Sequence, residues 1–381
     1  MALPAYSFSI YITVFLKEIT FRNFRNYDSL NLQFSEKISL VTGENAQGKT
    51  NILEGIYFLS TAKSHRTNRD DELIQQGKHW FYIKGRIQSR LSSNSVEITN
   101  TCGEKKRIRI NGKTQDKISS IIGKINVVMF SPEDLSLVKG APSERRRFLD
   151  ILISRISPSY LYALQEYNSS LRQRNELLKN IRDKKAKADS LESWDILLAK
   201  SGSEIIKQRL AVVSELSEIA REKHSQLTSD QEDFHIEYQT QFDFNSDSRI
   251  EDIYRENLDS SIDSDLRRGS TSTGPHRDDL MFSVDCVDAR RYCSQGQQRT
   301  SVLSLKMADL ELMARKLNDY PIVLLDDVTS ELDENRASFL FDLLNQTPVQ
   351  AFLTATNLEG ISSKFPNSQL FAVENGVVKK R

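Results

Sequence analysis

Hydrophobic and polar residues alternate in several short stretches along the first 130 residues of this chain. Leu30, Leu32 and Phe34 are separated by polar residues, which is the pattern of a strand with one buried face. Asn111-Gly112 joins two further stretches of this kind and is typical of a tight hairpin turn. The first part of the chain is therefore predicted to contain an antiparallel β-subdomain.

The spacing of the hydrophobic residues changes near Ser143, where long stretches with few helix-breaking residues begin. Ile206, Leu210 and Val213 follow helical spacing there. Beyond residue 265, short apolar runs return between helical stretches. The pattern predicts an α/β head, a mixed β-sheet with flanking helices, that is interrupted by a mainly helical inserted domain. The predicted limits are 1–15 for an N-terminal extension, 16–130 and 266–381 for the head, and 131–265 for the insertion.

Charge is balanced over the whole chain but not along it. The 381 residues include 52 Lys and Arg against 52 Asp and Glu, so the formal net charge is zero. This excludes a uniformly basic tail protein and still permits a local basic surface. Residues 139–187 carry 12 basic and 5 acidic side chains, whereas residues 230–265 carry 12 acidic and 2 basic ones.

Other compositional features narrow the class of protein. No apolar run reaches the roughly 20 residues of a membrane-spanning helix. The uncharged, apolar start, Met1–Phe15, lacks the basic residues and cleavage site of a signal peptide, and we interpret it as a dispensable extension. The three cysteines have no CxxC spacing, so neither a zinc site nor a disulfide framework is expected. Together these features predict a cytoplasmic protein.

A phosphate-binding loop is the strongest chemical signal. The segment 43–50, GENAQGKT, fits the pattern G-x-x-x-x-G-K-T. It follows a short apolar run and precedes a helical pattern. Its glycines allow backbone N–H groups to point at phosphates, Lys49 is predicted to pair with the β- and γ-phosphate oxygens of a nucleotide, and Thr50 to bind Mg²⁺. A strand-to-helix turn with an exposed lysine is the structural alternative. The predicted nucleotide-binding residues are Gly43, Glu44, Asn45, Ala46, Gln47, Gly48, Lys49 and Thr50.

Two consecutive acids complete such a site. Ile322–Leu325 is apolar throughout and is followed by Asp326 and Asp327. A buried carboxylate is costly unless it is paired, so this arrangement favours a nearby cation. Asp326 is predicted to hold Mg²⁺ through water, and Asp327 is the predicted catalytic residue that orients or deprotonates the attacking water. Without the phosphate-binding loop, a strand that ends in solvent explains the two acids equally well.

A third motif lies at residues 294–297. Ser294 and Gln297 form an S-x-x-Q capping box at the start of a helix. The Ser294 hydroxyl and the Gly296 N–H at a helix N-terminus also make an anion site. The string resembles the signature motif of ABC-type ATPases, in which it touches the γ-phosphate bound by a second copy. That resemblance implies an ATP-dependent homodimer, with Ser294, Gly296 and Gln297 as nucleotide-binding residues.

Two further features are open to two interpretations each. Ser330-Glu331-Leu332-Asp333 resembles the D-loop that lines the dimer interface of ABC-type ATPases, and a helix start capped by Thr329 or Ser330 explains it as well. The basic side chains of the insertion are candidate contacts to DNA phosphates, and a solvated helix face is the alternative. The predicted DNA-binding residues are Arg145, Arg146, Arg147, Lys184 and Lys185; the basic string 105–109 is open to the same two interpretations.

Several strings in order along the chain resemble the RecF family of bacterial recombination mediators. They are the segments FLKEITFRNFRNYDSL at 15–30, SPEDL at 131–135, KGAP at 139–142, RRRFLD at 145–150, QRN at 173–175, GPHRDD at 274–279 and GQQR at 296–299. The resemblance extends from Leu16 to the C-terminus. It implies an ATPase head of the ABC/SMC class, with ATP and Mg²⁺ as cofactors.

The family resemblance also implies a function. An ATP-driven dimer would clamp double-stranded DNA near single-strand gaps in replication and recombinational repair. With RecR and RecO it would promote the loading of RecA, and slow, DNA-dependent ATP hydrolysis would reset the clamp. The departures from ABC-type ATPases are Glu133 or Asp134 where a glutamine is expected, Thr354 and Thr356-Asn357 where a histidine is expected, and Asp327 where the second acid is expected to be a glutamate.

Two other functions share these nucleotide motifs. One is the ATPase subunit of a membrane transporter, which the β-rich start and the SPEDL string fit poorly. The other is an SMC-like tether, which requires a far longer coiled-coil arm than roughly 140 residues supply. Salt-dependent DNA binding separates the first alternative from a DNA clamp.

Overall fold

The structure is a computed structural model that describes residues 14–89, 93–187, 190–243, 249–327, 332–357 and 360–381. These residues form two compact units. The first unit combines the described residues up to Leu135 with Lys306–Arg381, and the second unit is Ser136–Leu305. The chain thus leaves the first unit and later returns to it, which is the connectivity of an inserted domain.

Fifteen strands and ten α-helices lie within the described ranges. The strands are β1 (Phe15–Phe24), β2 (Tyr27–Gln33), β3 (Ile38–Thr42), β4 (Trp80–Gln88), β5 (Ser93–Thr101), β6 (Arg107–Ile110), β7 (Lys113–Gln115), β8 (Val127–Phe130), β9 (Phe234–Gln239), β10 (Asp279–Val284), β11 (Val287–Asp288), β12 (Ile322–Leu325), β13 (Ala351–Ala355), β14 (Gln369–Glu374) and β15 (Val377–Lys380). The helices are α1 (Lys49–Thr61), α2 (Ser136–Lys139), α3 (Pro142–Ile156), α4 (Pro158–Arg182), α5 (Glu192–Thr228), α6 (Ile250–Arg268), α7 (Ala289–Tyr292), α8 (Gln295–Leu317), α9 (Glu334–Gln346) and α10 (Ile361–Lys364).

A largely parallel sheet organises the first unit. Its described strands lie in the order β15-β14-β3-β13-β12-β8, and only the β15–β14 pair in this series is antiparallel. All four residues of β12 are buried and apolar, as expected for a strand that is covered on both faces. Ligands bind at the carboxyl ends of the strands in sheets of this kind, so β3, β12 and β13 direct their following loops toward one region.

An antiparallel sheet forms the second layer of the first unit, in the order β2-β1-β4-β5-β6-β7. Its alternating buried residues pack in one core with α1 and the parallel sheet, as the alternation in the sequence predicts. Gly55 of α1 allows a close approach, because a Cβ there would lie 2.2 Å from the ring of Phe21. The helix that follows the phosphate-binding loop is therefore held between the two sheets.

Long helices dominate the second unit. α4 has 25 residues and α5 has 37, and α3 and α6 pack against them. A small antiparallel sheet, β11-β10-β9, covers part of α5. Among the described residues, no helix combines the length and apolar character needed to cross a membrane.

The units of the structure end at different residues from those predicted. The second unit extends to Leu305, whereas the sequence-based limit of the insertion lies at residue 265. The reason is a long-range strand pair, because β10 pairs with β9 from Asp279↔Gln239 to Val284↔Phe234. At the N-terminus Phe15 already belongs to β1, and residues 1–13 of the predicted extension lie outside the described residues.

The buried Arg209 contacts the 271–279 segment within the second unit. Arg209 donates to Asp150 (2.7 Å), to the Tyr160 hydroxyl (2.9 Å) and to the carbonyl of Pro275 (2.7 Å). His276 Nδ1 lies 2.6 Å from the Tyr167 hydroxyl, and burial lowers the pKa of His276 to about 4. The GPHRDD string thus contributes to the packing of the second unit.

Candidate nucleotide-binding site

The phosphate-binding loop connects β3 to α1, as the motif predicts. Three of its residues have positive φ: Gly43 (154°), Ala46 (64°) and Gly48 (117°). At Gly43 a Cβ would lie 2.3 Å from the carbonyl oxygen of Val373, and at Gly48 it would lie 2.5 Å from Asn26 Nδ2. Both glycines are therefore required by backbone conformation and by close contact, which leaves a cradle that any side chain would fill.

The β1–β2 hairpin supports the loop from outside. Asn26 Nδ2 donates to the carbonyl of Gln47 (2.8 Å), and the Tyr27 hydroxyl donates to the carbonyl of Gly48 (3.0 Å). Asn51 on α1 donates to Asn26 Oδ1 (2.8 Å). Sequence reasoning missed these supporting residues, because the hairpin precedes the loop by about twenty positions and carries no phosphate-binding motif of its own.

The side chain of Lys49 folds back onto the phosphate-binding loop. Its Nζ donates to the carbonyls of Gly43 (2.6 Å) and Glu44 (2.8 Å), and the residue is 7% exposed. Burial lowers the pKa of Lys49, and the charges of Asp327 and Asp326 act in the opposite direction. The alternative of an exposed lysine on a simple turn is therefore wrong, and this ammonium group lies among carbonyl dipoles near two carboxylates.

Asp326 lies beside Thr50, as the two motifs predict. The Thr50 hydroxyl donates to Asp326 Oδ1 at 2.9 Å, and the Thr354 hydroxyl donates to the same oxygen at 2.7 Å. Asp326 is 5% exposed, and burial raises its pKa although both hydroxyls favour the charged form. The alternative of a strand that ends in solvent is wrong for this residue.

The oxygen atoms of Thr50 and Asp326 suit Mg²⁺. Mg²⁺ prefers hard oxygen ligands and commonly keeps several waters beside one or two protein groups. Thr50 uses its only proton toward Asp326, so the lone pairs of its oxygen stay available to a cation. The hydrogen bonds from Thr50 and Thr354 also fix the orientation of the Asp326 carboxylate before a metal ion binds. The residues present therefore fit the predicted metal.

Asp327 follows directly, with its backbone in the left-handed region. Its φ is 47°, and its backbone N–H donates to the Thr354 hydroxyl at 2.9 Å. This places the predicted catalytic carboxylate next to the predicted metal-binding residue at the carboxyl edge of the sheet. Ser330 and Glu331 of the predicted D-loop lie outside the described residues, and Asp333 caps α9 by accepting from the Arg336 N–H (3.0 Å).

Charged side chains around the site form pairs that the sequence analysis did not anticipate. Glu54 on α1 is fully buried and accepts two hydrogen bonds from Arg25, at 2.8 and 2.7 Å. Burial alone would raise the pKa of Glu54, but the bonds from Arg25 and Ser64 bring it below its usual value. Arg66 Nη1 lies 3.7 Å from the same carboxylate, and its Nε lies 4.0 Å from Glu133.

The segment that replaces the expected glutamine loop is tied to α8. Lys306 donates to Asp134 Oδ1 at 3.1 Å, and Asp134 Oδ2 accepts from the N–H of Ser131 (2.8 Å). Both side chains of this ion pair are largely buried, at 10% and 17% exposure. The 131–135 string therefore forms a structured turn after β8 that is joined to α8 by a salt bridge.

The signature residues lie in the second unit and form the expected capping box. The Gln297 N–H donates to Ser294 Oγ (3.2 Å), and the Ser294 N–H donates to Gln297 Oε1 (2.9 Å). Ser294 and Gly296 are exposed, and a Cβ at Gly296 would meet only Ser294 Oγ, at 3.8 Å. The capping role is confirmed, and contact with a nucleotide stays a prediction for these residues.

The predicted DNA-binding residues have different surroundings. Arg145 is 4% exposed and makes a two-pronged ion pair with Asp279 (2.7 and 2.8 Å). Arg146 donates to the carbonyl of Asp278 (2.8 Å), and burial lowers its pKa. Arg145 and Arg146 thus contribute to the packing of the second unit, which argues against their predicted contact with DNA. Of the other predicted DNA-binding residues, Arg147 is half-buried, and Lys184 and Lys185 are exposed.

A basic surface lies instead on the antiparallel sheet. Its outer face is the side opposite the buried Phe21, Ile83 and Ile98, and strand register places five cations there against two acids. The cations are Arg22, Lys84, Arg86, Arg107 and Arg109, and the acids are Glu18 and Glu97. Lys106, in the basic string 105–109, is partly buried and pairs with Asp70 (2.8 Å), so it is not available to a ligand at this surface.

The fold and the paired motifs define an ATPase head of the SMC and ABC class. A family model described as RecF/RecN/SMC N terminal domain matches residues 15–379. Two Smc head structures share the fold at TM-scores of 0.57 and 0.56, with 16% and 13% identity over 97% and 96% of this chain. Relatives that are 43% identical over 96% of the chain narrow this class, and they show that the chain belongs to the RecF family.

Four relatives support this assignment. DNA replication and repair protein RecF of Bacillus cytotoxicus is 43% identical over 96% of this chain and 98% of that protein, and RecF of Bacillus mycoides has the same values. A solved structure of the recombination mediator protein RecF-ATP in the RecFOR pathway has a TM-score of 0.90 and 33% identity, covering 99% of this chain and all of the other. A RecF-ATPrS structure has a TM-score of 0.88 and 34% identity, covering 97% and 100%.

Proposed function

We propose that this protein is an ATP-dependent DNA-binding protein of replication and recombinational repair. Two copies close around ATP, and the dimer clamps double-stranded DNA next to a single-strand gap. With RecR and RecO it promotes the loading of RecA, and slow ATP hydrolysis resets the clamp. The observation that carries the proposal is the site itself, in which Lys49, Thr50, Asp326 and Asp327 converge at one edge of the parallel sheet.

The residues of the first unit have separable tasks. When Mg–ATP is bound, its γ-phosphate is the group that water attacks, and ADP is the leaving group. Lys49 pairs with phosphate oxygens in place of the loop carbonyls that it now contacts, and the Gly48 cradle accepts the phosphates. Thr50 and Asp326 hold Mg²⁺, and Asp327 orients the attacking water.

The second copy contributes the signature. Ser294 and Gly296 are exposed at the N-terminus of α8, a helix of 23 residues whose dipole favours an anion at that end. Contacts to the γ-phosphate that exist only in the dimer favour association, and their loss after hydrolysis favours release. Nucleotide therefore acts as a switch between one copy and two.

DNA binding by this protein is supported by the outer face of the antiparallel sheet. Five cations against two acids give that face a net charge of +3, which suits a phosphate backbone. The exposed Lys184 and Lys185, and the half-buried Arg147, stay predicted phosphate contacts in the second unit. Recognition by backbone contacts predicts binding that depends on salt and on DNA shape more than on base sequence.

The test is the molecular mass in solution with and without ATP–Mg²⁺, in the presence and absence of gapped DNA. Wild type is expected to dimerise with ATP, more so on DNA. Lys49→Ala is expected to stay monomeric, and Ser294→Arg to bind ATP without dimerising. Asp327→Asn is expected to dimerise and to turn over at least tenfold more slowly. A wild-type protein that stays monomeric in saturating ATP–Mg²⁺ with DNA would contradict the proposal.

A further inference from the structure

Thr354 is the one polar residue of β13, a buried strand whose other members are Ala351, Phe352, Leu353 and Ala355. It is 3% exposed. Valine has the same shape, suits a buried strand and carries no polar group that must be satisfied. A hydroxyl at this position is therefore explained by its hydrogen bonds and not by packing.

Those hydrogen bonds join two consecutive acids. A hydroxyl carries one proton and accepts others. Thr354 donates that proton to Asp326 Oδ1 at 2.7 Å and accepts from the backbone N–H of Asp327 at 2.9 Å, while the carbonyl of Leu325 is farther away at 3.5 Å. One side chain thus holds the carboxylate of Asp326 and the main chain of Asp327.

Each bond has a geometric consequence. Thr50 and Thr354 both donate to Oδ1, and within the described ranges no hydrogen bond reaches Oδ2 of Asp326. The second oxygen is thereby left to accept from a metal-bound water. Asp327 has φ of 47°, a conformation that non-glycine residues adopt rarely and that neighbouring structure must maintain. The bond from its N–H to Thr354 holds that conformation.

We propose that Thr354 is a positioning residue for the Mg–ATP site: it sets the direction of the Asp326 carboxylate toward Mg²⁺ and the backbone of Asp327 toward the attacking water. The inference rests on the proposed function. Thr354 touches neither metal nor nucleotide in this account and acts through the two acids.

The experiment compares the full-length wild type with Thr354→Val, Thr354→Ala and Thr354→Ser. Ser39→Ala is the matched control, because Ser39 is a fully buried hydroxyl on the adjacent β3, paired in register with Phe352, and makes no hydrogen bond to the described residues. The first readout is equilibrium binding of a fluorescent ATP analogue as Mg²⁺ is titrated, with a parallel series in EDTA. The second is steady-state ATP hydrolysis, separated into kcat and KM.

Removal of the hydroxyl is expected to raise the Mg²⁺ concentration at the binding midpoint by roughly 10- to 100-fold, the usual effect of losing a group that orients a metal ligand. kcat is expected to fall with little change in KM. Binding in EDTA is expected to stay equal in all variants, and Thr354→Ser and Ser39→Ala to stay close to wild type. The alanine variant gives the same test if the valine variant does not fold.

Two results would refute the proposed role of Thr354 without affecting the proposed function. One is a Thr354→Val or Thr354→Ala protein with the wild-type Mg²⁺ midpoint and kcat. The other is a Thr354→Ser protein as impaired as Thr354→Val, which would show that the methyl group and not the hydroxyl matters. A wild-type protein that binds no nucleotide would refute the proposed function, and this inference with it.

Discussion

Replacing Arg25 by methionine tests how the site is anchored to the antiparallel sheet. Arg25 is 20% exposed and Glu54 is not exposed at all. The change removes both charge-assisted bonds and leaves a carboxylate in the core with the Ser64 hydroxyl at 2.6 Å and Arg66 at 3.7 Å. Removing one partner of a buried pair costs roughly 3–5 kcal/mol. We expect a loss of about that size in the free energy of unfolding at pH 7.

The sign of the pH dependence follows from Glu54. In the wild type its pKa lies below the ordinary 4.5, so the pair stabilises the fold above that pH and the stabilisation is lost as the pH falls through the lowered pKa. Without Arg25, burial is the largest influence and raises the pKa. The penalty of the variant is therefore expected to be smallest at pH values below that lowered pKa and to grow as the pH rises.

The assay uses one tryptophan as a reporter of the first unit. The chain has two tryptophans, Trp80 in β4 and Trp194 in α5, so a Trp194→Phe background isolates Trp80. Urea unfolding is followed by fluorescence at pH 4 and pH 7. The control Arg25→Met/Glu54→Gln removes the buried charge and is expected to recover about half of the loss. A loss below about 1 kcal/mol, or an equal loss at both pH values, would refute this reasoning.

Three other changes have definite expectations. Gly48→Ala (φ 117°) is expected to weaken ATP binding at least tenfold, measured by titration. Gly77 also has positive φ (81°) but has no atom within 4 Å of a Cβ, so Gly77→Ala is expected to leave binding unchanged. Arg109→Glu is expected to lower the slope of log Kd against log salt for DNA by about 1 to 2. Lys200 is an exposed lysine of α5 in the second unit, and Lys200→Glu is expected to leave the slope unchanged. Lys306→Met leaves Asp134 largely buried and is expected to cost about 3 kcal/mol by urea unfolding. Wild-type ATP affinity in Gly48→Ala, a wild-type salt slope in Arg109→Glu, or wild-type stability in Lys306→Met would contradict the respective expectation.

The phosphate-binding loop could be predicted from the sequence because its structure is local. Gly43 and Gly48 are required by positive φ, and a strand and a helix on either side are indicated by neighbouring residues alone. The same is true of β12, where four apolar residues followed by two acids predict a buried strand with carboxylates at its end. Motif spacing and local pattern were sufficient at these positions.

Long-range partners were decided by the tertiary structure. Arg145, Arg146 and Arg147 look alike in the sequence, yet Arg145 is buried because Asp279, 134 positions away, pairs with it. Thr354 reaches Asp326 across 28 positions because β13 lies beside β12 in the sheet.

Chain neighbours determine backbone conformation and the burial period, and these predicted the class of fold and the core of the site. Which side chains meet depends on strand order and helix packing, which arise only when distant segments share one core. For that reason the supporting residues of the site, and the burial of individual arginines, could be read from the folded protein alone.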